Sequence, residues 1–196
     1  MRIRMRTALA TFVALLALAA LASVGSLAVF TDQETNGSNT FSAATIDLSI
    51  APTSTLVSFS GMLPGDSVTD DLVVTNGAGS AALRYAVSAS ATNADSKALK
   101  DQLSLVINTI DVTTPASPCD NFDGTQLYSG DLDASAGKLV GDSTQGAQAG
   151  DRTLAASATE TLCLRVTLPS ATGNGFKNAT TTATFTFDAE QTTNNP

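Results

Sequence analysis

The sequence predicts an all-β protein: a two-sheet jelly-roll sandwich of seven to nine short strands with one short helix. Three observations carry this. Apolar and polar residues alternate in short runs along most of the chain, as a strand with one buried and one wet face requires. The runs are rich in Thr and Val, whose branched side chains suit a pleated surface. Gly, Pro and Asn clusters separate them at turn spacing. Of the 196 residues, 43% are hydrophobic and 14% charged, which suits a globular domain rather than a disordered tail.

The first residues form an address rather than part of the fold. Arg2, Arg4 and Arg6 precede an apolar stretch from Ala8 to Ala22, followed by the small residues Ser23, Gly25, Ser26 and Ala28. That order is a secretory signal peptide, residues 1–28, with cleavage between Ala28 and Val29. The rival reading is an uncleaved anchor, because Thr7 to Phe30 is long enough to span a bilayer. Cleavage leaves seven basic against eighteen acidic residues. The expected product is secreted to the extracellular matrix or cell surface, touching the membrane only through its signal peptide.

Residues 29–40 follow as a polar N-terminal segment with Val29 and Phe30 at its head. The domain proper is expected over 41–191, with 192–196 a polar tail. Its strands, in order, are Thr45–Ile50, Leu56–Phe59, Leu72–Thr75, Ala82–Ala91, Leu103–Val112, Thr161–Leu168 and Thr180–Ala189. Leu162, Leu164, Val166 and Leu168 share one face, with Cys163 on the other. Leu63-Pro64-Gly65-Asp66, Asn76-Gly77, Ser117-Pro118 and Gly173-Asn174-Gly175 read as turns. The helix falls at Asp95–Leu103. Asp131–Arg152, rich in Gly, Ala, Ser and Asp, reads as a long surface excursion. Phe41, Phe59, Phe185 and Phe187 are the expected aromatic core fillers.

Composition narrows the chemistry sharply. The chain has no His, which removes Ser-His-Asp and Cys-His nucleophile pairs and every histidine zinc ligand. A formal charge of −8 argues against a nucleic-acid partner, which needs a basic face. No residue is assigned a catalytic, cofactor-binding or metal-binding role. Asp120, Asp123, Asp131 and Asp133 make an oxygen-rich loop of the kind calcium uses, but their spacing fits no EF-hand and a solvated turn is the simpler reading. Asp70-Asp71 and the Asp188/Glu190 pair have the residue types of a glycosidase acid and base, without an opposing carboxylate that the spacing can place. Asn36 and Asn178 each begin an Asn-x-Ser/Thr glycosylation pattern. Cys119 and Cys163, the only cysteines, pair in one disulfide or stay as two buried thiols. A disulfide would close a loop of about 44 residues and stabilise the fold by about 3–4 kcal/mol.

Several stretches taken in order resemble one known family. Ala28-Val29-Phe30-Thr31-Asp32 is followed by Asn39-Thr40-Phe41-Ser42-Ala43-Ala44-Thr45-Ile46-Asp47-Leu48, then by Leu63-Pro64-Gly65-Asp66-Ser67-Val68, Ala82-Leu83-Arg84-Tyr85 and Thr184–Gln191. Together they resemble the TasA/camelysin family of exported biofilm-matrix proteins. The resemblance implies a jelly-roll subunit, freed by a signal peptidase of the SipW type, that forms a head-to-tail homopolymer. In such a fibre the segment headed by Val29, Phe30, Thr31 and Asp32 and ending at Thr40 would be lent to a neighbour as an extra strand. The bland alternative is an unstructured tail. The family's metallopeptidase label finds no His-Glu-x-x-His motif here.

Overall fold

The computed structural model describes residues 45–53, 61–134 and 137–195, all within one compact unit, Ala43–Pro196. It is nearly all β, as expected. Nine strands are present among the described residues: β1 (Leu48–Ala51), β2 (Ser67–Asn76), β3 (Leu83–Ala91), β4 (Ser104–Thr109), β5 (Gln126–Asp131), β6 (Lys138–Val140), β7 (Arg152–Leu154), β8 (Thr159–Thr167) and β9 (Ala183–Gln191). They form two antiparallel sheets. One has the order β1-β2-β8-β4-β5; in the other, β3 carries β6 and β7 on one side and β9 on the other.

The core lies between the sheets and is aliphatic. Leu72 and Val74 of β2, Leu105 and Ile107 of β4, and Leu162, Leu164 and Val166 of β8 meet Leu83, Tyr85, Val87 and Ala89 of β3. Each set occupies alternate positions of its strand, so period-two patterning sends one face inward. The β8 face is as expected, with Cys163 pointing the other way. Cys163 is nevertheless fully buried, because a loop covers that outer face.

The N-terminal turns also follow from local chemistry. In Leu63–Asp66, Gly65 takes φ +100°, the Asp66 carboxylate accepts the Leu63 N–H at 2.8 Å, and the Asp66 N–H returns to Leu63 O at 2.9 Å. Asn76-Gly77 does more than turn. Asn76 is wholly buried and its side-chain amide donates to Ala81 O at 2.9 Å and Ala155 O at 3.0 Å, bracketing the end of β2 to the segment after β7. Gly77 packs so close to Asp47 that a Cβ there would lie 2.1 Å from its Oδ2.

Three expectations need correction. The helix at Asp95–Leu103 is a single 3₁₀ turn, Leu99–Asp101, and a second 3₁₀ turn spans Asn174–Phe176. Ser96 and Ala98 sit at positive φ, while Asp95 and Asn93 side chains bond the Lys97 and Ala98 amides; such local bonds compete with an α-helix. The excursion at Asp131–Arg152 is not purely surface. It contains β6, leads into β7, and contributes Leu132, Leu139 and Val140 to the core. Three-residue strands are too short for alternation to register. Phe185 and Phe187 pack against the core only half-buried, with Tyr85 rather than a Phe at its centre; Phe41, Phe59 and the strand expected at Leu56–Phe59 lie outside the described residues.

A polar clasp joins the sheets. Tyr85 of β3 donates its hydroxyl to Glu160 of β8 at 2.7 Å, and Arg152 of β7 pairs with the same carboxylate through Nε at 3.1 Å and through its terminal nitrogen. Burial, and then the bond to Glu160, push the Tyr85 phenol far above its usual range; Tyr128 is raised mainly by burial, with Asp131 and Asp133 adding to it.

Two outcomes follow. Leu105, with no exposed surface, becomes a cavity in Leu105→Ala, which should cost about 2–5 kcal/mol in denaturant unfolding. Because the folded Tyr85 holds its proton where the unfolded chain releases it, its stabilisation is complete below about pH 10 and declines as pH rises further. Ultraviolet titration of Tyr128→Phe should show no tyrosinate until the domain unfolds. A reversible transition near pH 10 with the fold intact would refute the closed clasp.

Candidate functional site

Two kinds of surface stand out: the open edges of the sheets and the covered outer faces. Among the described residues β9 pairs only with β3, over all nine of its positions, and β5 pairs only with β4. β1 covers β2 from Val73 to Asn76 alone, so Ser67–Leu72 has no described strand on that side. Edges of this sort present unpaired N–H and C=O groups that another strand can satisfy. In β9, Ala183, Phe185 and Phe187 turn toward the core while Thr184 and Thr186 are exposed, so the edge is polar on its wet face. The segment Val29, Phe30, Thr31, Asp32 to Thr40 and the cleavage pair Ala28–Val29 lie outside the described residues.

The outer face of the five-stranded sheet is covered by a strap, residues 110–125. Cys119 on the strap is bonded to Cys163 on β8, the Cα atoms 5.4 Å apart, so the two cysteines form the expected disulfide. In register, Cys163 stands opposite Asp71 of β2 and Asn108 of β4. Arg165, two positions along the same face, lies 3.8 Å from the centre of the Phe122 ring and donates to Thr69 at 3.0 Å. Phe122 holds φ +55°, and its carbonyl accepts from Asn108 at 3.1 Å.

The strap is organised by Asp111, which sequence reading missed. Its side chain is 1% exposed and accepts from the Asn121 N–H at 2.7 Å and the Asp123 N–H at 3.2 Å. Nothing in the local pattern separates Asp111 from its acidic neighbours; only the folding-back of the strap buries it. Gly124 is required because a Cβ would lie 2.0 Å from Thr109 O.

The acidic residues weighed for calcium disperse. Asp123 accepts from Val112 and Thr113, whose bonds hold its carboxyl below the usual range, with the Thr113 hydroxyl dominant. Asp133 pairs with Lys100 at 2.9 Å, and the Asp131 carbonyl takes the Tyr128 hydroxyl at 2.7 Å. The glycosidase candidates fall on different sheets. Asp188 and Glu190 line a cavity of about 230 Å³ with Arg84, Asp142 and Asp151, on the outer face of the β3–β9 pair. There Glu190 is occupied by Arg84 at 3.1 Å and the Gly146 N–H at 3.0 Å. Asp70 and Asp71 line another cavity of about 260 Å³ with Thr69, Pro118, Cys119 and Asp120. The thickness of the sandwich separates the two pairs, so they cannot flank one glycosidic bond. Among the described residues no group of three or more Cys, Asp or Glu is arranged to hold a metal ion. Asn178 is exposed in a turn at φ +58°.

No individually curated protein matches the chain. The family model described as Camelysin metallo-endopeptidase matches residues 2–195. With that match running almost end to end over the two-sheet fold, the chain belongs to the TasA/camelysin family that its motifs resemble.

Proposed function

We propose that the protein is an exported, non-enzymatic structural subunit that polymerises head to tail, by donor-strand exchange, into extracellular biofilm-matrix or pilus-like fibres. The observation that carries this reading is the open β9 edge, nine residues long and without a described partner on its outer side. Residues 29–40, extended, would reach on the order of 40 Å, enough to lie along such an edge in another copy. Cleavage after Ala28 by a SipW-type peptidase would free that segment, with Val29 and Phe30 as its apolar anchors. A strand lent onward in one direction does not close on itself, so it builds filaments rather than dimers. The acidic surface keeps free subunits apart, and salt eases the repulsion. No cofactor is required.

The second reading is a monomeric cell-surface adhesin on the same fold; concentration-dependent filament growth separates the two. The family description names a peptidase, but a chain without His cannot build the histidine zinc site of a His-Glu-x-x-His enzyme. Casein hydrolysis sensitive to a chelator would restore that reading.

Negative-stain microscopy of the mature protein tests the proposal. Full-length mature chain should form filaments, and deletion of residues 29–40 should abolish them while leaving the circular dichroism of the domain unchanged. Fibres from the deleted chain would reject strand donation.

A further inference from the structure

The disulfide is approachable from one side only. Cys163 has no exposed surface, whereas Cys119 is half-buried and lines the open cavity beside the strap. That cavity is walled by Asp70, Asp71 and Asp120, with Thr69 and Pro118 completing it. Asp71 sits in register with Cys163 on the same face of the sheet. Arg165 is the one basic residue in β2, β4 and β8; its guanidinium lies on the Phe122 ring and donates to Thr69 at the cavity's wall, so one positive charge stands against three carboxylates. The route to the sulfur is therefore acidic, and the attacking species in disulfide exchange is an anion.

We propose that Cys119–Cys163 is a charge-gated redox latch. Small thiols that are neutral or cationic open it at Cys119, anionic thiols are held off by the three aspartates, and opening loosens the apex of the strap, leaving it on hydrogen bonds alone, while the sandwich stays folded.

The chemistry balances with the external thiol as reductant. Its thiolate sulfur attacks Cys119 Sγ, the protein S–S bond breaks, and Cys163 leaves as a thiolate that takes a proton. A second thiol then displaces Cys119 from the mixed disulfide. Two external thiols become one disulfide, and two protein thiols result. The Pro118 carbonyl oxygen, 2.9 Å from Cys163 Sγ, is already placed to accept from the new S–H.

What stays closed follows from the bonds that remain. Asp111 still holds Asn121 and Asp123, Thr109 N–H still donates to Thr125 O at 2.9 Å, and Phe122 still rests on Arg165. The apex, residues 114–120, loses its covalent tie and keeps the Asp111 N–H to Pro118 O bond at 2.8 Å and the Thr114 hydroxyl's bonds to Asp111 and Asn121. In β2, β4 and β8 the ladder continues on either side of Cys163.

The experiment compares reduction rates of the full mature chain by cysteamine, 2-mercaptoethanol and 3-mercaptopropionate, each corrected for its thiolate fraction. At low ionic strength the cationic thiol should outrun the anionic one by about tenfold or more, and the ratio should shrink toward one in molar salt. Asp70→Asn/Asp120→Asn, both at exposed positions, should narrow the ratio without changing the fold. Hydrogen exchange of the reduced protein should quicken in residues 114–120 and remain slow in β2 and β8. Equal rates for the three thiols at low salt, a ratio indifferent to the aspartates, or loss of protection throughout the sheet would each overturn the latch. The outcome does not depend on whether the protein forms fibres.

Discussion

The register of β8 is the constraint on which the rest of the molecule depends. This strand is paired on both sides, to β2 and to β4, and both of its faces are covered. Its inner positions, Leu162, Leu164 and Val166, form the floor of the core. Its outer positions, Cys163 and Arg165, hold the strap, and Glu160 near its start reaches across to Tyr85 and Arg152 on the other sheet. A slip of one residue would turn the leucines out and the cysteine in, and would break all three connections together. Few alternative pairings survive such a penalty.

The two outer faces are finished in different ways. Over the five-stranded sheet the strap is tied covalently and by a buried carboxylate, so it is anchored at two independent points. Over β3 and β9 the covering segment, residues 141–151, is held by charge and amide bonds rather than by a covalent tie. Asp151 accepts the Asp142 N–H at 3.0 Å and the Gln148 N–H at 2.8 Å, while the Lys138 ammonium and Thr144 hold the Asp142 carboxyl down at about 2. Both long excursions therefore belong to the fold. Among the described residues the β9 edge has no strand on its outer side, and that geometry is why backbone pairing is the means of association proposed for this family member.

How much of this is legible in the residues varies with element length. The runs that became β2, β3, β4, β8 and β9 are six to ten residues long, and alternation or continuous apolarity announces each of them. β6 and β7 have three residues each, and β5 carries Gly and Asp, so no period rises above its neighbours. The disulfide was nameable as a pairing of the only two cysteines, and alternation set Cys163 on the outer face, but not the strap that buries it there. Asp111 was indistinguishable from the acids around it.

The residue order alone settles what is local or compositional: an all-β class, strand faces, turn positions, and the absence of histidine chemistry. These depend on period, propensity and presence, all of which can be counted along the chain. Tertiary packing alone decides which edges stay open, which carboxylate is buried, and which side of the disulfide meets solvent. Those properties depend on contacts between residues tens of positions apart, such as Asp71 with Cys163 or Tyr85 with Glu160, and no one-dimensional pattern encodes them.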